Sequence, residues 1–334
     1  MDGRDWKPRR RRNHDEATPA SVRSNIVSDL LFTLLLPILS LLAWFLPQQC
    51  WSPVTHGLGG FIARIYRATT AMLVQRIGHA QRGGIGHALR EGNGPLPEAA
   101  AIALRAGKYQ QHLQILRDYR PGGWRPATRL SGTEHIDQAL ARSHGAILWF
   151  GDFITDRLAA RIALSQAGYR TAHLADPRHG PWNTAFGVRY LNPVFTRIED
   201  RYIRQRILHP PGDELRAIWT LHQELKSNHL LSLNALGGTG QTVRTPFLDG
   251  YLPLPVGPIH LAARSKAPIL PVFSVRTSSG VIDVNVGAPL AIDRNGDRHQ
   301  TATLAVRAFA DRLSPFVLAY PGQWYGWFSY EPAG

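Results

Sequence analysis

The chain has 334 residues, of which 44% are hydrophobic and 19% are charged, and this balance excludes a disordered or fibrous protein. Lysine and arginine together number 38 against 24 acidic residues, so the formal net charge is +14. That excess favours an anionic partner, which could be nucleic acid, anionic lipid headgroups or an acidic carrier protein. The single cysteine, Cys50, excludes intramolecular disulfide bonds and any multi-cysteine zinc site.

The N-terminal segment is basic at its start and apolar thereafter. Residues 1–25 are polar and rich in arginine, and we expect them to form a disordered tail. Residues 30–63 contain no Asp, Glu, Lys or Arg, and residues 30–46 are almost purely apolar. As a helix, those 17 residues would extend about 26 Å, slightly less than the roughly 30 Å hydrocarbon core of a bilayer. We therefore predict a membrane anchor over residues 26–60, either a transmembrane helix or a helix partly sunk in one leaflet.

The flanks of this apolar segment indicate how it is oriented. Pro37 lies in its middle, where it removes a backbone hydrogen bond and is expected to kink a helix. Lys7 and residues 9–12 precede the segment, and Arg64 and Arg67 follow it. Because both basic flanks prefer the cytoplasmic side, a monotopic or re-entrant anchor with the main domain in the cytoplasm is favoured. A cleaved signal peptide would need a short basic start and a small-residue cleavage site, which this sequence lacks.

The rest of the chain changes from a helical pattern to an α/β pattern. Apolar residues recur at helical spacing over 61–82 and 98–118, so we predict a helical region over residues 61–125. From residue 126, short apolar strands alternate with amphipathic helices, which predicts an α/β domain over 126–330 with a mixed, mostly parallel sheet flanked by helices. The predicted strands are 146–150, 171–174, 229–233, 269–275 and 281–286, and the predicted helices are 136–141, 155–167, 214–225, 257–265 and 300–318.

The junction after the strand 146–150 is the first candidate site. Open α/β sheets place their ligand sites at the carboxyl ends of strands, and Gly151 and Asp152 lie at such an end. Asp152 and Asp156 are four residues apart, and paired carboxylates can share a proton and supply a general base. Asp near a helix N-terminus is equally typical of helix capping, so both interpretations stay open here.

Six short segments in a fixed order carry a resemblance to a known family: LSGTEHIDQAL at 130–140, GAILWFGDF at 145–153, PFLDG at 246–250, PVGPIHLA at 255–262, APILPVF at 267–273 and YPGQW at 320–324. Over roughly residues 25–330 the chain resembles the late, lauroyl- and myristoyl-type acyltransferases of lipid A biosynthesis, within the wider lysophospholipid acyltransferase group. The resemblance implies an enzyme of the bacterial inner membrane that uses no cofactor and no metal. It also implies transfer of a fatty acyl chain from an acyl carrier protein or coenzyme A thioester to a hydroxyl of a lipid or glycolipid.

The family's catalytic motif is altered in this sequence. Relatives carry a Gly-His-Phe-Gly-Asn-Trp-Glu-like motif, in which the His takes the proton of the acceptor hydroxyl and the acid stabilises the imidazolium. When the chain is aligned on Gly151 and Phe153, Asp152 occupies the position of the family's His and Arg157 occupies the position of its acid. When the alignment is shifted by one residue, Gly151 occupies the His position and Asp156 occupies the acid position. The resemblance thus implies catalytic roles for Asp152, Asp156 and Arg157, with Asp152 as the base and Arg157 stabilising charge on the thioester oxygen. Burial would have to raise the pKa of Asp152 by a few units for efficient proton transfer.

Two further stretches depart from the family. Its basic residue in a Tyr-Arg-Pro stretch falls on Asp176, and its Asp-Gln pair falls on Asn234 and Ala235. Arg157 and Asp176 would then have exchanged signs, and we hypothesise that they form a salt bridge. The resemblance implies substrate-binding roles for Asp176, Arg178, Asn234, Arg244 and Gly257.

Other motifs carry weaker signals. His144 and His173 lie close in sequence to the two strands that flank the site and could approach it, although surface or core histidines are commoner. His209 and Glu214 form a literal H-x4-E, but Glu214 is better explained as part of a first helical turn. The glycines of 237–240 lack the Lys-Ser/Thr of a phosphate loop, which favours a flexible connection. A basic run could bind lipid phosphate or acyl carrier protein, or could be a solvated face: Arg197, Arg201, Arg204 and Arg206, with Tyr202.

Two further function classes remain open. A catalytically degenerate relative would keep a lipid-binding groove for a regulatory role, and an enzyme with another acyl acceptor would share the same fold. The positive net charge is compatible with nucleic-acid binding, but we recognise no nucleic-acid-binding motif in the sequence. We therefore expect an acyl carrier protein or acyl-CoA donor, a lipid or glycolipid acceptor and an anionic membrane as partners, and no nucleic acid.

Overall fold

The computed structural model describes residues 19–83, 95–210, 212–236, 240–294 and 296–333. The tail predicted over 1–25 lies outside these residues as far as position 18, and the chain is helical from Pro19. Ten helices are present in the described part: α1 (Pro19–Phe45), α2 (Trp51–Ile65), α3 (Arg67–Gly83), α4 (Pro97–Asp118), α5 (Thr133–Leu140), α6 (Ala159–Gln166), α7 (Asn192–Asp200), α8 (Glu214–Lys226), α9 (Gly257–Ser265) and α10 (Arg298–Ala319). Ten strands accompany them: β1 (Thr128–Ser131), β2 (Ala146–Phe150), β3 (Thr171–Ala175), β4 (Gln205–Leu208), β5 (Leu230–Asn234), β6 (Thr242–Phe247), β7 (Gly250–Pro255), β8 (Ile269–Arg276), β9 (Ile282–Val286) and β10 (Glu331–Pro332).

The main sheet has seven strands in the order β1-β9-β8-β2-β5-β3-β4. β8, β2, β5, β3 and β4 run parallel, β9 is antiparallel to β8, and β1 is parallel to β9. The predicted mixed, mostly parallel sheet flanked by helices is therefore confirmed. β2 is buried at all five positions, because helices cover both of its faces, as is usual for a central parallel strand.

A second, three-stranded antiparallel sheet has the order β10-β7-β6 and was not predicted. Pro246 lies in β6, and Pro253 and Pro255 lie in β7. Proline cannot donate to a strand ladder, so these residues make the sequence pattern untypical of strands. The alternating burial of β7, with Leu252 and Leu254 buried, nevertheless anchors this sheet on the core.

Helices cover both faces of the main sheet. The core on one face joins β2 and β5 to α8, α9 and α10, and Trp149 packs against Phe309 there with ring centroids 4.0 Å apart. The core on the opposite face joins β2 to α1, α5, α6 and α7. α4 contributes to both cores and packs against α1, α2 and α3, which places it beside the carboxyl ends of the parallel strands.

The N-terminal helix is attached to the main domain by specific hydrogen bonds. The Asp29 carboxylate accepts from the backbone N–H groups of Asn183 and Thr184, at 2.7 Å from the latter. Trp44 Nε1 donates to the Leu116 carbonyl at 3.1 Å. α1 stays helical through Pro37. Across the described ranges, no helix is long and apolar enough to cross a membrane, which contradicts the predicted transmembrane helix.

Candidate active site

The junction after β2 has a fixed and unusual backbone. Asp152 has φ of 65°, in the left-handed region that non-glycine residues rarely adopt. A Cβ on Gly151 would lie 2.7 Å from the Phe273 ring, so only glycine fits there. The C-terminal segment holds both residues in place: Trp324 Nε1 donates to the Gly151 carbonyl at 2.8 Å, and Tyr325 N donates to the Asp152 carbonyl at 3.0 Å. The Gln-Trp segment of the resemblance thus positions the candidate base.

The Asp152 side chain lies at the carboxyl ends of β2 and β5. Its Oδ2 accepts a hydrogen bond from Leu236 N at 2.5 Å, just beyond the end of β5. Burial raises the pKa of Asp152 to about 7, although the Leu236 hydrogen bond and the positive charge of Arg157 act against the rise. A group with a pKa near 7 is half ionised at neutral pH, so the rise that the sequence analysis required is present.

Asp156 forms the second carboxyl group of the site and is 5% exposed. Its Oδ2 accepts from Phe153 N at 2.8 Å, which closes the turn Ile154–Asp156, and its Oδ1 accepts from Ser274 Oγ at 2.5 Å. Burial raises its pKa to about 8, against the Ser274 hydrogen bond, and the negative charge of Asp152 adds to the rise. The two carboxyl groups therefore interact, and Asp156 also has the capping function that was the alternative interpretation.

Arg157 lines a cavity of about 320 Å³ between α4, the segment that joins β3 to α7, and the C-terminal segment. Its guanidinium lies 5.8 Å from the centre of the Tyr325 ring. Arg105 and Lys108 of α4 line the same cavity. Asp152 and Asp156 lie outside its lining, although the pKa effect of Arg157 shows that its charge reaches Asp152. The site thus consists of a carboxyl pair next to a cationic cavity.

His112 of α4 also lines the cavity, and sequence reasoning missed it. It is 5% exposed, and neither ring nitrogen has a hydrogen-bond partner within the described ranges. Burial, together with the charges of Lys108 and Arg157, holds the pKa of His112 well below its usual range, so the ring is neutral at pH 7. Arg105, Lys108 and His112 recur at three and four residues, which places them on one helix face, and this spacing was a usable sequence signal.

The predicted residues after β3 form a surface turn. Asp176 and Arg178 are exposed, and Asp176 Oδ1 accepts from Arg178 N at 2.6 Å. Arg157 and Asp176 both lie in the described part of the chain, and they form no ion pair with each other there. The hypothesis of a charge-swapped salt bridge is therefore wrong, because Asp176 caps its own turn while Arg157 packs on Tyr325.

The remaining predicted substrate residues are distributed around the domain. Asn234 ends β5 opposite Phe150 and is exposed beside the junction. Arg244 of β6 pairs with Glu331 at 2.9 Å and lies over the Tyr251 ring, so it belongs to the small sheet. Gly257 begins α9, and a Cβ there would meet open space. None of these three residues lines the cavity, and their substrate-binding roles stay predictions.

The two histidines near the site strands have different surroundings. His144 is exposed in the turn before β2, at the end of the strand opposite the site. His173 is 2% exposed; its Nε2 accepts from Arg161 at 2.8 Å, which leaves Nδ1 to donate to the Ser232 carbonyl at 3.1 Å. Burial and then the charge of Arg161 hold its pKa well below the usual range. His173 is thus a neutral core residue.

Most of the basic run is used in ion pairs within the domain. Arg201 pairs with Asp118 at 3.1 Å, and Arg204 pairs with Glu224 at 3.2 Å. Arg206 pairs with Glu199 at 2.9 Å. Three of the four arginines therefore have structural partners, which weakens the prediction that this run binds lipid phosphate or acyl carrier protein.

Two weaker motifs are accounted for more simply. Glu214 is the first residue of α8, so its assignment to a first helical turn is confirmed. Residues 237–239 of the predicted glycine loop lie outside the described residues. Among the residues that are described, no group of three or more His, Cys, Asp or Glu side chains could hold a metal ion.

A comparison with protein families gives a match over the α/β domain. Residues 120–329 match the family model described as bacterial lipid A biosynthesis acyltransferase. The matched range runs from before β1 to a point past the Gln-Trp segment, and it contains the carboxyl pair and Arg157. A search of the curated proteins found no match to the chain. The match covers more than half of the sequence, and Arg105, Lys108 and His112 of α4 lie outside it.

Proposed function

The chain belongs to the bacterial lipid A biosynthesis acyltransferase family, and from this premise we propose that it transfers a fatty acyl group from an acyl thioester to a hydroxyl of a membrane lipid or glycolipid. The donor is an acyl carrier protein or coenzyme A thioester. The observation that carries the proposal is the placement of Asp152 at the carboxyl ends of β2 and β5, where it accepts from Leu236 N and where burial raises its pKa to about 7. In the alignment on Gly151 and Phe153, this residue stands at the position of the family's catalytic base. A base with that pKa is ionised in part at neutral pH and accepts a proton with little driving-force penalty.

The proposed reaction needs one proton acceptor and one cation. The acceptor hydroxyl oxygen attacks the thioester carbonyl carbon, and Asp152 takes the hydroxyl proton. Negative charge develops on the carbonyl oxygen, and the guanidinium of Arg157 stabilises it. When the intermediate collapses, the C–S bond breaks, Asp152 returns the proton to the leaving thiolate, and the ester bond remains on the acceptor.

Asp156 supports this role through the shared environment of the two carboxyl groups. With a pKa of about 8, it is largely protonated at pH 7 while Asp152 is half ionised. When the pKa values of two interacting carboxyl groups differ, the group with the higher pKa stays protonated and the group with the lower pKa can accept a proton. Asp156 closes the turn that follows Asp152 by accepting from Phe153 N, and it acts as a positioning residue.

A stripe of exposed apolar side chains supports association with one membrane leaflet. On α1 these residues recur every three or four positions, and they lie on one face. Several similar residues of α2 are also exposed. The stripe comprises Ile26, Leu30, Leu34, Ile38, Leu41 and Phe45 of α1, with Val54, Phe61 and Ile65 of α2. An apolar surface of this extent is unfavourable in water and is typical of helices that lie in a membrane interface.

The charge of the chain fits the same location. Arg64 and Arg67 lie at the junction of α2 and α3, close in sequence to the apolar stripe, and basic residues there are attracted to anionic headgroups. The net charge of +14 also favours an acidic carrier protein as donor. We therefore propose the cytoplasmic face of the inner membrane as the site of action.

The test of the proposed reaction compares two substitutions that remove the same charge. Purified protein is incubated with acyl carrier protein bearing a radiolabelled acyl chain and with a membrane lipid extract. Asp152→Asn should lower transfer by about 100-fold or more, the usual contribution of a general base. Asp311→Asn removes an exposed carboxylate on α10 and should leave transfer within about twofold of wild type. Undiminished transfer by Asp152→Asn would exclude Asp152 as the base.

A second candidate function is a non-catalytic lipid-binding protein, and one contact favours it. The Asp152 carboxylate accepts a hydrogen bond from Leu236 N, which links the ends of β2 and β5, so a purely structural role would also explain it. This candidate predicts no transfer from any thioester donor by wild-type protein that still binds lipid vesicles. The same assay therefore separates the two functions.

A further inference from the structure

The cavity next to the carboxyl pair brings three cations together. Arg105 and Lys108 of α4 line it, and so does Arg157, which follows the carboxyl pair in the chain. Its acidic lining residue, Glu199, is already bound by two arginines and a histidine, at 2.9 to 3.3 Å. Within the described ranges, no carboxylate forms an ion pair with any of the three cations.

These like charges raise one another's electrostatic energy. Lys108 keeps access to solvent, yet the surrounding protein lowers its pKa by desolvation, and the charges of Arg157 and Arg105 lower it further. Arg157 lies over the Tyr325 ring, and Arg105 lies over the Tyr66 ring and donates to Thr70 Oγ1 and the Tyr66 carbonyl, so the groups that contact these two guanidinium groups are neutral. Unpaired cations confined in a concave site are unfavourable in the free protein, and a bound anion would relieve this repulsion.

We propose that this cavity binds a phosphate group carried by one of the two substrates. Arg105 donates from Nε to Thr70 Oγ1 and from Nη2 to the Tyr66 carbonyl, which leaves Nη1 to donate to a phosphate oxygen. The Lys108 ammonium supplies a compact charge for a second oxygen, and Arg157 stays available for the thioester oxygen. His112, which is neutral and has no hydrogen-bond partner among the described residues, adds an N–H donor. The two positive charges of Arg105 and Lys108 match the charge of a phosphate better than that of a single carboxylate.

The size and walls of the cavity indicate that the phosphate is part of a larger ligand. A volume of about 320 Å³ exceeds what a phosphate group needs. Apolar side chains complete the lining and would contact a chain attached to the phosphate: Leu73, Leu104, Ile115, Phe195 and Phe328. The assignment to a substrate rests on the proposed function, in which the donor carries a phosphopantetheine phosphate and a glycerolipid acceptor carries a headgroup phosphate.

The binding test uses the full chain in detergent, without turnover. Inorganic phosphate is titrated calorimetrically at constant ionic strength, with chloride as the compensating anion. Lys108→Gln should weaken phosphate binding by about tenfold or more. Lys226→Gln, at the exposed end of α8, removes the same charge and should bind phosphate as wild type does. Because Lys108 is repelled by its neighbours, Lys108→Gln should keep or raise the unfolding temperature in the absence of phosphate.

Two further titrations identify the source of the phosphate. If the donor's phosphate occupies the cavity, Lys108→Gln weakens coenzyme A binding and leaves glycerol 3-phosphate binding unchanged. The reverse result assigns the cavity to the acceptor. Absence of phosphate binding to wild type, or equal weakening by Lys108→Gln and Lys226→Gln, would overturn the proposal.

The phosphate-binding test can succeed or fail independently of the acyl-transfer assay. Phosphate binding that depends on Lys108, in a protein that transfers no acyl group, would keep the site and remove the proposed reaction. Full acyl transfer by Lys108→Gln, together with unchanged phosphate affinity, would remove the site and keep the reaction.

Discussion

The buried carboxyl group of Asp156 should make the folded protein less stable in alkaline solution. Its pKa is about 8 in the folded protein, against about 3.9 in an unfolded chain. Protonation therefore favours the folded state: this stabilisation is complete below about pH 4 and is lost as the pH rises through 8. Between pH 7 and pH 9 the loss from Asp156 and Asp152 together is about 2 kcal/mol, and Asp156 contributes the larger share.

The substitution Asp156→Asn should remove most of this pH dependence. The amide has the shape of the protonated acid: its oxygen accepts from Phe153 N, and its NH₂ group donates to Ser274 Oγ, so both hydrogen-bonding contacts are kept. The free energy of unfolding is measured by urea titration with tryptophan fluorescence at pH 7 and pH 9. Asp311→Asn, which alters an exposed carboxylate, should lose stability as wild type does. An equal alkaline loss in Asp156→Asn would refute the assignment of a raised pKa to this buried group.

Three other predictions concern the base, the buried ion network and the membrane stripe. Because the pKa of Asp152 is about 7, its ionised fraction and the acyl-transfer kcat/KM should rise by roughly tenfold from pH 6 to pH 8, and a flat profile would contradict its role as base. Glu199→Gln should lower the free energy of unfolding by about 3 kcal/mol, since it leaves buried cations without their partner; urea titration that shows a loss below about 1 kcal/mol would contradict this. Leu34→Glu combined with Ile38→Glu should abolish flotation with anionic vesicles, because both exposed side chains belong to the apolar stripe. Leu304→Glu, equally exposed on α10, should float as wild type does, and identical behaviour of the two variants would show that the stripe does not contact the membrane.

Burial explains which strands the sequence could predict. The central strand 146–150 is found at its predicted bounds, because a parallel strand covered on both faces is a continuous apolar run that turns interrupt sharply. The small antiparallel sheet was missed, since its prolines at 246, 253 and 255 indicate a loop in any local pattern. The helices predicted over 61–82 and 98–118 are found, but the first is divided at Tyr66, and no sequence signal marked that division.

The place of the candidate residues in the fold could be predicted from the sequence, whereas their electrostatics could not. The order of strand, glycine and acid predicted that Asp152 and Asp156 follow the carboxyl end of β2, and the structure has them there. Their pKa values, however, depend on burial and on contacts with Leu236 and Ser274, which are more than 80 residues away in the chain. The spacing of the cations on α4 was visible, but only the packing of α4 beside the strand ends directs that face toward Arg157.

The exchange of residues within the family motif has a consistent electrostatic consequence. In the family pattern a His and an acid occupy the two positions. In the alignment on Gly151 and Phe153 that we propose, Asp152 and Arg157 stand there, so each position would still have a partner of opposite charge. Burial lowers the pKa of a His but raises that of an Asp, while the opposite charge of the partner acts against burial in both cases. At Asp152 these opposing effects give a pKa of about 7, close to the ordinary pKa of a histidine. A partly buried carboxylate next to an arginine is therefore a base of similar strength to a histidine, and the absence of a histidine at this position is not sufficient reason to infer loss of activity.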